Sequence, residues 1–148
     1  MTQSTTTPVH EVMTRAPITV TPLTPVRALM DLFDRHDFNA FPVVDDRGIV
    51  RGIVTKLDVL RLLRPDQNLW VPGFAQMSSA RVEDIMRRGV VCVEPGDPLV
   101  VAADLMVETR LRSLPVVQRK PDGPILAGIV SQGDILRGLR FALAATEA

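Results

Sequence analysis

GIVTKLDVLRLL (52–63) and GIVSQGDILRGL (128–139) are two copies of one pattern, 76 residues apart. Each opens with a glycine and an apolar pair, continues with a hydroxyl residue, Thr55 or Ser131, and places a carboxylate, Asp58 or Asp134, three residues later. Working outward, the similarity extends upstream at an offset of 73. VHEVMTRAPITVTPLTPVRALMDLF (9–33) lies over VEDIMRRGVVCVEPGDPLVVAADLM (82–106), and FPVV (41–44) over LPVV (114–117). The offset changes once, in QRKPDGPILA (118–127), a Gly/Pro-rich turn where insertions are cheap. The period is too long for a solenoid repeat, so the chain reads as two copies of one small domain.

Each copy predicts the same elements. ITVTP (18–22) and VVCVEP (90–95) are short β-branched stretches and read as strands. Pro25 and Pro98 fit a first helical turn, where a missing N–H is harmless. Val26, Leu29, Met30 and Phe33 then follow the spacing of one buried helix face. The partner helix, LVVAADLMV (99–107), is apolar nearly all round, which predicts burial on more than one side and a homodimer face. Next come two hairpins, FPVVD and IVRGIV around Asp46-Arg47-Gly48, and LPVVQ and ILAGIV around Lys120-Pro121-Asp122-Gly123. A second helix, DVLRLLR or DILRGLRFALA, closes each unit. The fold class is therefore α+β, a β-α-β-β-α unit twice over: a loose tail (1–8), repeat 1 (9–64), a linker (65–81), repeat 2 (82–140) and a helix end or tail (141–148). In the linker, Trp70 and Phe74 read either as a binding surface or as satellite core.

Composition narrows the function. The chain has 148 residues, 17 basic and 17 acidic, with a formal net charge of zero. Nucleic-acid binders draw affinity from excess Lys and Arg, so that class is disfavoured. Cys92 is the only cysteine, and His10 and His36 stand far apart, so no zinc-ligand set is expected. The first eight residues do not read as a signal peptide and no apolar run approaches a membrane span, which predicts a cytoplasmic location. No GxxxxGK[ST], HExxH or GxSxG motif is present, and Cys92 sits in an apolar stretch. The expectation is a protein that is not an enzyme and needs no metal or cofactor.

The repeated Thr/Ser-x-x-Asp segment has two readings. It is close to a helix capping box, in which the hydroxyl accepts a backbone N–H and the acid favours the positive helix end. The same geometry suits a nucleotide, because free N–H groups attract phosphate while an ionised carboxylate accepts from both hydroxyls of a ribose. The two roles are compatible.

The paired repeat, the h-P-V-V strand and the G-h-h-[ST]-x-x-D segment together resemble a tandem pair of cystathionine-β-synthase (CBS) domains, the Bateman module, over residues 9 to 139. The resemblance implies two repeats packed about a pseudo-twofold axis, clefts that take AMP, ADP, ATP or S-adenosylmethionine as effector, dimerisation, and regulation of a partner protein. Asp58 and Asp134 resemble the family's ribose-binding acids, and Thr55 and Ser131 its hydroxyls near sugar or phosphate. The resemblance further implies Ile18, Phe38 and Asn39 as walls for the adenine at Asp134, and Val91 and Leu111, with Arg112 near phosphate, at Asp58. Ile53 and Ile129 would line the base pockets. For the apolar residues plain core packing stands as the alternative, and for Arg112 a solvated surface position. Thr55, Lys56 and Arg112 predict that the Asp58 cleft takes the more highly charged nucleotide. The rival to a nucleotide sensor is a dimeric interaction scaffold whose acids only cap helices.

Overall fold

Prolines decide where each repeat turns from extended chain to helix. In the computed structural model, which describes residues 7–65 and 73–147, Pro25 and Pro98 are extended and stand one position before the helix rather than inside its first turn. In chain order the elements are β1 (Thr14–Arg15), α1 (Val26–Arg35), β2 (Ala40–Val44), β3 (Val50–Thr55), α2 (Lys56–Leu60), α3 (Phe74–Ser79), α4 (Val82–Ile85), α5 (Leu99–Thr109), β4 (Ser113–Lys120), β5 (Gly123–Ser131) and α6 (Gln132–Glu147). Single 3-10 turns lie at Val9–Glu11 and Arg61–Leu63. No described helix is long and apolar enough to cross a membrane.

Both predicted hairpins form. β2 pairs antiparallel with β3, and β4 with β5. Each has one irregularity at the same place in the repeat, between Val43 and Val44 and between Val116 and Val117. The stretches 18–22 and 90–95 do not become strands. Each contributes one parallel bridge, Val20 to Val43 and Val93 to Val116. The reason is covalent. Val20 N–H donates to the Pro42 carbonyl at 3.1 Å, and Val44 N–H to the Val20 carbonyl at 2.9 Å. The next rung would need an N–H from Pro22, and in the second repeat from Pro95, and proline has none.

Linker residues form structure as well. Residues 74–79 are helical (α3), although no period marks them in sequence. Trp70 and the Phe74 side chain lie outside the described residues. Thr7 and Pro8 are tied down. Leu99 N–H donates to the Thr7 carbonyl at 2.9 Å, and Pro8 bridges Pro98.

The chain divides into two packed units that do not follow the repeats. One runs from Ile18 to Val90. The other joins the segment ending at Pro17 to the chain from Val91 onward. Each repeat's leading segment thus packs in the unit of the other repeat. The first core contains Val20, Leu29, Phe41, Val43 and Val54, together with Val82 and Met86. The second contains Val93, Leu99, Ala102, Met106, Leu114, Val116, Val130 and Ile135, together with Val9. Val9 and Val82, equivalent in the repeat, are both fully buried, and each contributes roughly 1.5–3 kcal/mol of transfer free energy to a core that is not its own repeat's.

Two predicted faces come out differently. On α1, Val26 and Leu29 are buried and Phe33 is half-buried, but Met30 is exposed. On α5, Leu99, Ala102 and Met106 face the core, while Val100, Val101 and Val107 remain exposed. Among the described residues, α5 is therefore buried along one side and exposed along the side of Val100, Val101 and Val107.

The first hairpin turn is built on Asp45. One carboxylate oxygen accepts from the Arg47 and Ile49 amides at 2.9 and 3.0 Å, and the other from Arg51 Nη2 at 2.7 Å. Desolvation works to raise this carboxyl, but the Ile49 and Arg47 amides and the Arg51 guanidinium outweigh it and hold it below its ordinary 3.8. A depressed folded value means that the contribution is complete above the ordinary value and fades as pH falls through the folded one. Melting curves recorded down an acid series should show the wild type losing its advantage over Asp45→Asn below about pH 4.

Candidate functional site

β3 and β5 each run directly into a helix, and the hydroxyl residue ends the strand. Thr55 is the N-cap of α2, and Ser131 is the residue before α6. The capping arrangement is reciprocal at both. Asp58 N–H donates to Thr55 Oγ1 at 3.2 Å, while Thr55 N–H donates to Asp58 Oδ2 at 2.8 Å. Asp134 N–H donates to Ser131 Oγ at 3.1 Å, while Ser131 N–H donates to Asp134 Oδ2 at 2.9 Å. Thr55 Oγ1 also donates to Asp58 Oδ2 at 2.9 Å.

The acids are buried, with 1% of Asp58 and 8% of Asp134 exposed. A buried carboxylate must be paired or strongly hydrogen-bonded. At Asp58 the second oxygen, Oδ1, accepts from Arg61 Nη1 at 2.6 Å and Arg87 Nε at 3.4 Å. At Asp134 it accepts from Arg137. Sequence reasoning missed all three arginines. Arg61 and Arg137 left a signal, since each stands three residues after its acid in both copies, DVLR and DILR. Arg87 lies 29 residues from Asp58 in sequence and reaches it through backbone pairing. Ile53 and Arg87 exchange two hydrogen bonds, of 3.1 and 2.9 Å.

The glycine six residues before each acid has a steric cause. A Cβ on Gly52 would run into the Arg87 carbonyl, and one on Gly128 would lie 2.6 Å from the Thr14 carbonyl. Only glycine lets the leading segment lie so close against β3 or β5. The Asp134 surroundings are open. Asp134 and Arg137 border an open surface groove of about 570 Å³, lined also by Glu11, Val12 and Phe141. That volume falls within the usual range for small-molecule sites.

The remaining predicted residues distribute between the units. Ile18, Phe38, Asn39 and Ile53 belong to the unit with Thr55 and Asp58, and Val91, Leu111, Arg112 and Ile129 to the unit with Ser131 and Asp134. Ile18, Phe38 and Val91 are exposed despite being apolar, and Asn39 and Arg112 are exposed too. Phe38 stacks on His36 with ring centres 5.3 Å apart. Leu111 and Ile129 are half-buried, and Ile53 is fully buried. Lys56 has its ammonium over the Phe33 ring, 5.9 Å from the centroid. Burial pushes the Cys92 thiol up, against a smaller pull from Arg119, which makes it a poor nucleophile at neutral pH. The described residues hold no cluster of His, Cys, Asp or Glu suited to a metal ion.

The CBS domain family model matches residues 9–65 and 82–140, and the chain belongs to that family as a tandem pair. Among known proteins it is similar to the uncharacterized protein MJ1225 of Methanocaldococcus jannaschii, at 29% identity over 87% of the chain. It spans only 46% of that protein's length. The crystal structure of MJ1225 superposes with a TM-score of 0.79. CBSX2, a CBS-pair protein of Arabidopsis thaliana, has been solved in complex with AMP. That complex is 30% identical, covers 94% of this chain and 98% of its own, and has a TM-score of 0.74. The CBS domain pair of protein MJ0100, in complex with 5′-methylthioadenosine and S-adenosyl-L-methionine, is 26% identical over 96% of this chain and 98% of its own, with a TM-score of 0.72.

Proposed function

We propose that the chain is a regulatory module that holds an adenosine-containing effector through Asp58 and Asp134 and passes its presence to a partner protein, without catalysing a reaction. The observation that carries this is the pair of repeat-equivalent buried carboxylates, each at the head of a helix and each with one oxygen that, among the described residues, is bound by side-chain guanidinium alone. The vicinal hydroxyls of a ribose are the matching donors, and they need not disturb the capping oxygen. CBSX2 with AMP and the MJ0100 pair with S-adenosylmethionine give the ligand class its support. In this reading Thr55 and Ser131 meet the sugar or phosphate. Ile53 sits behind the base at Asp58, and Ile129 behind the base at Asp134. Arg112 reaches phosphate. The exposed apolar residues Val100, Val101 and Val107 on α5 are covered by a second copy of the chain, and the dimer works in the cytoplasm.

The reciprocal caps favour a second reading, a dimeric scaffold whose acids only hold helix ends. A thermal-shift panel of AMP, ADP, ATP, 5′-methylthioadenosine and S-adenosylmethionine separates the two. Ligand at about 100 times its dissociation constant adds roughly 2.7 kcal/mol to the folded state. For a chain of this size that raises the melting temperature by roughly 5–10 °C. No shift with any of the five would leave the scaffold.

A further inference from the structure

The two acids are not equally provided with positive charge, and the difference lies at one position of the fold. β3 carries Ile53, which pairs with Arg87. β5 carries Ile129, the repeat equivalent of Ile53, and it pairs with Thr14. Gly52 and Gly128 meet the carbonyls of the same two residues, Arg87 and Thr14, which confirms the equivalence. Where one unit places Arg87, whose Nε lies 3.4 Å from Asp58 Oδ1, the other has at the equivalent position Thr14, which carries no charge. Asp58 therefore holds two guanidinium groups, from Arg61 and Arg87, and Asp134 holds Arg137. Glu11, on the groove that Asp134 borders, adds a further negative charge there.

Resting on the adenosine reading above, we infer that Arg87 and Thr14 sort ligands by charge, so that Asp58 takes adenosine compounds bearing phosphate and Asp134 takes those without it. Both oxygens of Asp58 are already occupied, Oδ2 by the cap and Oδ1 by arginine. A ribose diol arriving at Oδ1 displaces guanidinium from it. A displaced guanidinium is a strong partner for a phosphate on the same ligand, because the pair is charge-assisted and geometrically matched. Arg87 is well placed for this exchange, since its backbone is fixed by Ile53 while its side chain is 36% exposed and its contact to Asp58 is long, 3.4 Å. Among the described residues Asp134 pairs with the guanidinium of Arg137 alone, a side chain that is 72% exposed, and the groove's second acid, Glu11, repels phosphate. A ligand with a neutral or cationic 5′ substituent meets no such repulsion.

The test measures AMP and 5′-methylthioadenosine affinities by calorimetry in two single variants, each keeping one site. Asp134→Ala leaves the Asp58 site, and Asp58→Ala leaves the Asp134 site. The preference for AMP over 5′-methylthioadenosine should be at least about tenfold greater in Asp134→Ala, the effect of one charge-assisted contact. Adding Arg87→Thr to Asp134→Ala should remove that excess while 5′-methylthioadenosine affinity stays within about threefold. Arg87→Lys, which retains a charge but not the planar fork, should restore part of it. Equal preferences in the two single variants overturn the inference, as does an Arg87→Thr loss that is the same for both ligands. Binding of neither ligand by the wild-type chain overturns the adenosine reading itself, and the sorting with it.

Discussion

Gly52→Ala and Gly128→Ala each lower the melting temperature by roughly 2–10 °C, whereas Gly96→Ala leaves it unchanged or raises it slightly. The contrast follows from what an added methyl meets. At Gly128 it would stand 2.6 Å from the Thr14 carbonyl and 2.9 Å from the Met13 sulfur, and at Gly52 it collides with the Arg87 carbonyl. Met13 can swing aside, but the carbonyls belong to backbone held in register, by β1 against β5 in one unit and by the Ile53–Arg87 pair in the other. Relief requires the leading segment to lift away. That segment carries Val9 in one unit and Val82 in the other, both fully buried. Overpacking of this kind costs roughly 1–3 kcal/mol. Gly96 has nothing within 4 Å of its added methyl and needs no left-handed backbone, so alanine there only restricts the unfolded chain. Differential scanning calorimetry of the three variants measures all of this directly. If Gly52→Ala melts with the wild type, the close approach that sets Arg87 beside Asp58 is not rigid.

The features legible in the sequence are those fixed by local chemistry. The hairpins follow from apolar runs around Asp46-Arg47-Gly48 and around Lys120 to Gly123, and the helix starts from the cap residues Thr55 and Ser131. The unequal second helices have a local cause too. Pro65 forces Arg64 into extended backbone, with ψ of 124°, and ends the turn that follows α2, whereas nothing interrupts α6 before Glu147. The misread strands at 18–22 and 90–95 needed partner information, because a proline stops a ladder only where its missing N–H would face the partner strand, as at Pro22 and Pro95. The division into units was invisible for a related reason. Sequence similarity tracks common ancestry of a segment, whereas packing tracks which apolar faces meet, so Val9 and Val82 align with each other yet are buried in opposite repeats' cores. Arg87 escaped notice because nothing in MRRG distinguishes an arginine paired to a buried acid from one in water.

Removing both acids separates what they do for the helices from what they do for a ligand. In Asp58→Ala/Asp134→Ala each helix start loses the acceptor for one backbone N–H, a cap worth about 1 kcal/mol. The paired arginines lose their partner as well, but Arg61 is 47% exposed, Arg87 36% and Arg137 72%, so water takes over and the added cost is small. At roughly 2–4 °C per kcal/mol, the double variant should melt about 4–8 °C below the wild type and remain folded. Ligand stabilisation behaves differently. A ribose held by two charge-assisted hydrogen bonds loses roughly 3 kcal/mol when the carboxylate goes, about a hundredfold in affinity. AMP at about 100 times the wild-type dissociation constant should then raise the melting temperature by only about 1–2 °C, against roughly 5–10 °C in the wild type. Thr55→Ala/Ser131→Ala provides the comparison, because it deletes the other half of each cap and keeps the carboxylates. That variant should lose a similar amount of stability but only about tenfold or less in AMP affinity, the share of a neutral hydroxyl contact, since the buried acids still present Oδ1. A chain in which the acids are caps alone gives the same fall in melting temperature for both variants and no AMP response in any of them. A response undiminished by loss of both carboxylates places the nucleotide elsewhere and leaves Asp58 and Asp134 as structural residues.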